Sequence, residues 1–165
     1  MRFSFNFADK NDMPTLLCRL FDILYCNMKV ITPSGKTKEE DFDEWYSSVY
    51  PAMQKAQRQI VLMYAEDELV GFFQYYVNGG VFMMEEIQIE PKWQGSGIFG
   101  AMYSWLLPRL DAEIKVVEAY AHEKNSASMA ILEHLGLCKQ SQSREFLLYR
   151  GEYGVLADKY LKGEE

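Results

Sequence analysis

The chain has 165 residues, 48% of them hydrophobic and 25% charged, the length and composition of one ordinary globular domain. Its 17 basic and 24 acidic side chains leave a net charge of −7 with no Lys/Arg block, which argues against broad nucleic-acid or anionic-membrane binding. The three cysteines are odd in number, and on one helix Cys18 and Cys26 would stand ~12 Å apart, beyond disulfide reach, so a reducing cytoplasm is the expected compartment.

Phe3, Phe5 and Phe7 alternate with polar neighbours, the pattern of a half-buried strand and not of a signal peptide; no run approaches ~18 apolar residues. Asp12 is read as the cap of a helix that carries Met13, Leu16, Leu17, Leu20, Phe21, Leu24 and Met28 at spacings of three and four. Thr37 and Glu40 have capping-box spacing before a second helix, which Pro51 should kink or end. The period then changes. Gln59–Ala65 and Leu69–Val77 read as strands joined at Glu66-Asp67-Glu68, and Asn78-Gly79-Gly80 is a hairpin turn into the strand Val81–Ile89. A helical stretch, Ile98–Leu110, follows a glycine-rich loop. Lys115–Ala121 is a strand and Ser126–Leu135 a short helix ended by Gly136. Leu137–Gln140 and Phe146–Arg150 complete the sheet before a final helix near Val155–Leu161. One domain of mixed α/β (α+β) class, residues 1–165, is expected.

The most informative stretch runs from Ile87-Gln88-Ile89 through Glu90-Pro91-Lys92-Trp93 to Gln94-Gly95-Ser96-Gly97-Ile98-Phe99-Gly100. A strand enters a glycine-rich turn that opens a helix, where unpaired N–H groups and the helix dipole favour a phosphate. Gly95 to Gly100 match GxGxxG, and Glu118 falls where a ribose-binding carboxylate would stand. Against a dinucleotide fold, Pro91–Gln94 separate strand from glycines, and too little chain follows Ala121 for a doubly wound sheet. A turn that merely packs a helix on a sheet is the plain structural alternative.

A second constellation shifts the balance among these. Asn125 follows Gln94 by 31 residues at a strand end, and Gly136-Leu137 comes 11 residues later. Strand, Asn, short helix, Gly-apolar, strand, with the loop in front, resembles the GNAT superfamily of N-acetyltransferases from about Ile60 to Tyr149. The family's loop reads Gln/Arg-x-x-Gly-x-Gly/Ala; Gln94 and Gly97 match, whereas Phe99 stands where Gly or Ala is usual. The resemblance implies a mixed, mostly antiparallel sheet of six to seven strands flanked by helices, with acetyl-CoA as co-substrate. Gln94, Gly95, Ser96, Gly97, Ile98, Phe99 and Gly100 would cradle its pyrophosphate. Ile87, Gln88 and Ile89 would pair with the pantetheine amides and offer an N–H to the thioester carbonyl, the kind of donor that stabilises a developing oxyanion. Asn125 would lie beside the pantetheine arm, besides serving as a helix N-cap.

An amine of pKa ~10 must lose a proton before it attacks at neutral pH. Glu85 and Glu86 stand where the family often places an acid. Alternation puts Glu86 with Met84 and Gln88 on the more polar face, which favours Glu86 over Glu85 as general base. The family's usual acid, a tyrosine seven residues after the asparagine, is Leu132 here; Tyr103, Tyr120 and Tyr149 are possible substitutes. His122 and His134 lack the company of a ligand set, so no metal is expected, and Cys138 reads as core. The expected activity is direct acetyl transfer to a small-molecule or peptide amine in a ternary complex, without nucleic acid or membrane. The family resemblance adds a possible homodimer. A non-catalytic acyl-CoA-binding module and a nucleotide-binding domain are the competing readings.

Overall fold

The computed structural model describes residues 1–110 and 113–161. Its elements are β1 (Phe3–Phe7), α1 (Met13–Ile31), α2 (Lys38–Met53), β2 (Arg58–Ala65), β3 (Glu68–Asn78), β4 (Val81–Ile89), α3 (Ile98–Leu106), β5 (Val116–His122), α4 (Ser126–His134), β6 (Cys138–Ser143), β7 (Phe146–Glu152) and α5 (Tyr153–Leu161). The strands form one mixed, mostly antiparallel sheet in the order β1-β2-β3-β4-β5-β7-β6. A parallel ladder joins β4 to β5, Val81–Met84 beside Val116–Ala119.

Local chemistry explains most boundaries. Thr37 Oγ1 accepts from the Glu40 N–H while Glu40 Oε2 accepts from the Thr37 N–H, at 3.2 and 2.9 Å, so both halves of the capping box start α2. Pro51 sits in the last turn and α2 ends at Met53. Gly79 and Gly80 take φ of +58° and +78°, the left-handed pair that a tight hairpin needs. Asp12, expected to cap α1, makes no side-chain cap bond. A short 3-10 turn, Lys10–Asp12, precedes the helix, and Asp9 caps that turn by accepting from Asn11 N–H at 2.9 Å. Asp12, at φ −100° and ψ 12°, lacks the extended backbone of a capping residue. The helix expected over Ile98–Leu110 stops at Leu106 and tightens into a 3-10 turn, Leu107–Arg109, because Pro108 offers no N–H to continue it.

The chain divides into two compact units. The first comprises Met1–Gln74 and Glu86–Ile98. Its core is the stripe Met13, Leu17, Leu20 and Leu24 of α1 packed with Met53, Ile60, Leu62, Leu69 and Phe72. Phe21, Phe42, Trp45, Tyr46 and Tyr50 extend it as an aromatic cluster, with Tyr46 and Tyr50 stacked at 5.3 Å. The second comprises Tyr75–Glu85 and the described residues from Phe99 onward. There Phe82 meets Tyr75 and Tyr153 edge-on, and Tyr103 of α3 stacks on Tyr160 of α5 at 5.1 Å. Strand β6 closes one end of the sheet with all six residues exposed, and its register with β7 slips between Lys139 and Ser141. Cys138, expected in the core, is therefore exposed at an outer strand.

Candidate functional site

The first unit carries the glycine loop. Glu90 N–H donates to Val70 O at 2.8 Å as β4 ends, and Pro91–Trp93 form one 3-10 turn. Gly95 and Gly97 then take φ of +75° and +87°, and a side-chain carbon built on either meets nothing within 4 Å. The loop is thus left-handed where glycine is required and open where a ligand would approach. Ile98 begins α3, whose first N–H groups have no partner within the helix. Ser96 Oγ and Trp93 Nε1 are buried there without a hydrogen-bond partner. Leaving such a group unsatisfied costs ~1–3 kcal/mol, and a phosphate oxygen would accept from either. Orphaned donors, open left-handed glycines and a helix start fit the pyrophosphate of a CoA ester. Trp93 is an addition to the residues singled out from the sequence; its ring meets Phe3 edge-on at 6.3 Å.

The end of β4 carries the acid. Glu86 Oε1 accepts from Gln88 Nε2 at 2.6 Å, so the two side chains share a face as alternation requires. Gln88 is 8% exposed, and its Oε1 accepts from Asn27 Nδ2 at 2.9 Å. The same Nδ2 donates to Ile89 O at 2.8 Å. Sequence reasoning missed Asn27. The signal was present, because Asn27 continues the spacing Leu17, Leu20, Leu24 and so places an amide on the buried stripe of α1. Glu85 is half-buried and belongs to the second unit.

Ile87 is half-buried and Ile89 buried on β4, while Phe99 and Gly100, in the first turn of α3, are half-buried members of the second unit. A side-chain carbon at Gly100 would make ordinary contact with Tyr160 at 3.5 Å. Asn125 caps α4, its Oδ1 accepting from Ser128 N–H at 3.0 Å. Its part beside the pantetheine arm rests on the family resemblance. Leu132 is buried in α4. Tyr103 donates to Met84 Sδ at 3.5 Å, and burial, then the neighbouring Tyr160, push its phenol well above the usual range. Burial, followed by the Glu133 carboxylate, also raises Tyr149. Tyr120 is 56% exposed and lines an open cleft with Arg144, Glu145 and Phe146. Fully buried Tyr103 and exposed Tyr120 are poor matches to a proton donor at a departing thiolate. His122 Nδ1 accepts from Lys124 N–H at 3.1 Å and its Nε2 lies 3.4 Å from Glu145. Among the described residues there is no cluster of His, Cys, Asp or Glu able to hold a metal, and no helix long and apolar enough to cross a membrane.

Solved structures share this fold. The PaiA N-acetyltransferase from Thermoplasma acidophilum in complex with coenzyme A superposes with a TM-score of 0.72 at 13% identity, covering 93% of this chain and 100% of that one. An acetyltransferase from Thermus thermophilus gives 0.71 at 15%, covering 92% and 97%. The ribosomal-protein-S18-alanine N-acetyltransferase from Escherichia coli gives 0.62 at 10%, covering 92% and 94%. At these identities the likeness is one of fold. No curated protein matches the chain in sequence at a significant level. Residues 20–137, well over half the chain, match the model of the acetyltransferase (GNAT) family, so the chain belongs to that family, as an acyltransferase with acetyl-CoA as co-substrate.

Proposed function

We propose that this chain, acting as one domain, transfers the acetyl group of acetyl-CoA to a primary amine by direct attack in a ternary complex. The single observation that carries the reading is the loop: Gly95 and Gly97 open and left-handed, with Ser96 Oγ beside them buried and unpartnered. Bound acetyl-CoA supplies an activated acyl thioester. The loop N–H groups and the Ser96 hydroxyl hold the diphosphate, and the backbone of Ile87–Ile89 orients the pantetheine arm. Glu86 takes the proton of the attacking ammonium, in a site that needs no metal and no covalent enzyme adduct. A thiolate of pKa near ~8.5 leaves without an obligatory acid, which is compatible with Leu132.

Thermal unfolding with acetyl-CoA, CoA and NAD in parallel, each near ~1 mM, tests the cofactor half. A ligand at ~100 times its Kd adds ~2.7 kcal/mol, a rise of roughly 5–10 °C for a chain of this size. A rise with acetyl-CoA and CoA but not NAD is expected; no rise with either CoA ligand overturns the reading. Thiol release with glucosamine, spermidine, lysine and an alanine-initiated peptide tests the transfer half. The peptide is included because the Escherichia coli neighbour acts on a protein alanine. CoA binding without turnover of any amine would favour the acyl-CoA-binding module.

Gly97→Ala isolates the loop. Its added carbon meets nothing within 4 Å, so the cost in the free protein is the left-handed backbone, roughly 1–2 kcal/mol. Where the diphosphate approaches, the same methyl group obstructs it. The expected result is a small fall in Tm with a loss of most of the CoA-dependent rise, and an intact rise would remove Gly97 from the cradle.

A further inference from the structure

We propose that Asn27 is a positioning residue for acetyl transfer, fixing Gln88 from α1 and, through Gln88, the Glu86 carboxylate. This rests on the assignment of Glu86 as the base. Asn27 Nδ2 carries two N–H groups and uses them on two acceptors, Gln88 Oε1 at 2.9 Å and Ile89 O at 2.8 Å. With its oxygen engaged by Asn27, the Gln88 amide must turn its Nε2 the other way, and Nε2 donates to Glu86 Oε1 at 2.6 Å. Reversing the Gln88 amide would set N–H against N–H at Asn27 and oxygen against carboxylate at Glu86. The three side chains therefore form a one-directional relay, amide to amide to carboxylate, spanning 61 residues of sequence between its first two members.

The relay is anchored at its far end. Asn27 stands on the α1 stripe whose Leu17, Leu20 and Leu24 are packed in the core of the same unit, so the amide has a rigid base. Gln88 is buried and cannot exchange its partners for water without moving the strand. The second bond of Asn27, to Ile89 O, ties the backbone at the point where β4 meets the glycine loop. One amide thus sets both the orientation of the base and the end of the strand proposed to carry the pantetheine arm. Small displacements of a reacting group are costly, up to ~100-fold for about 1 Å, so a fixed carboxylate is worth a dedicated support.

A double-mutant cycle tests this. Wild type, Asn27→Leu, Glu86→Gln and the double variant are assayed with acetyl-CoA and whichever amine of the four above turns over fastest. Asn27→Leu is expected to lower kcat ~10-fold with the KM for acetyl-CoA changed less than about twofold, and to lower it no further in the Glu86→Gln background. Asn27→Asp keeps the volume and guards against a packing defect. It should lose at least as much, because its carboxylate oxygen would oppose Gln88 Oε1. A merely structural Asn27 would instead multiply its loss equally in both backgrounds, and that result overturns the proposal while leaving the base assignment standing. An unchanged kcat for Glu86→Gln removes the base assignment and the positioning role with it. Nuclear magnetic resonance supplies a readout independent of turnover. The side-chain N–H groups of Gln88 should exchange slowly in the wild type and rapidly in Asn27→Leu, and slow exchange retained in the variant rules out the relay.

Discussion

Glu86→Gln is expected to lower kcat by about 10²–10⁴-fold at neutral pH while leaving the acetyl-CoA-dependent rise in Tm unchanged. The substitution keeps the shape of the side chain and an oxygen to accept from Gln88 Nε2, now 2.6 Å away. What is lost is a site for the proton of the attacking ammonium. The deficit should narrow as the pH rises toward ~10, where a free amine is present without help from the protein. Steady-state thiol release across that range makes the measurement. A variant within twofold of wild type at neutral pH would strike Glu86 from the mechanism.

The second large effect is expected at a residue that touches no substrate. Gly71 lies buried in β3, and a side-chain carbon there would stand 2.6 Å from the backbone oxygen of Gln88 and 3.3 Å from Ile89 Cα. Neither is the end of a flexible chain. Gly71→Ala must therefore push β4 aside at the residues that carry the Glu86 contact and the Asn27 bonds. Overpacking of this kind costs about 1–3 kcal/mol, a fall in Tm of roughly 2–12 °C. The displacement should also reduce kcat by ~10-fold or more in protein that is still folded. Unfolding curves and rates measured on the same preparation separate the two effects. Unchanged Tm and kcat would mean that the strand has room to yield.

Much of the fold was legible because short-range rules decide it. Phe3, Phe5 and Phe7 announce a strand by alternation, Thr37 with Glu40 starts a helix, and Gly79-Gly80 turns a hairpin. The loop was legible for the same reason, since Gly95 and Gly97 meet a local backbone demand that no other residue satisfies cheaply. Where packing between distant segments decides, a residue's place on a buried stripe is legible but its partner is not. Asn27 meets Gln88 across 61 residues, and only the fold brings α1 to that strand. Cys138 looked like core because it follows Gly136-Leu137, but its place at the end of the sheet is a property of strand order. Asp12 makes no cap bond because an extra 3-10 turn, itself capped by Asp9, precedes α1.

The outer strand β6 has a bearing on how this protein behaves in a crowded solution. Any terminal strand offers a row of N–H and C=O groups on which a second chain can template itself, and aggregation begins at such rows. Here the row is written Cys138-Lys139-Gln140-Ser141-Gln142-Ser143, without a β-branched or aromatic side chain and with a register slip in its middle. An incoming chain would find hydrogen bonds but no greasy surface to share, and a kink where it needs a straight edge. Within the fold the strand is held by its ladder to β7, and its polar composition and register slip make this one edge a poor template for a further strand.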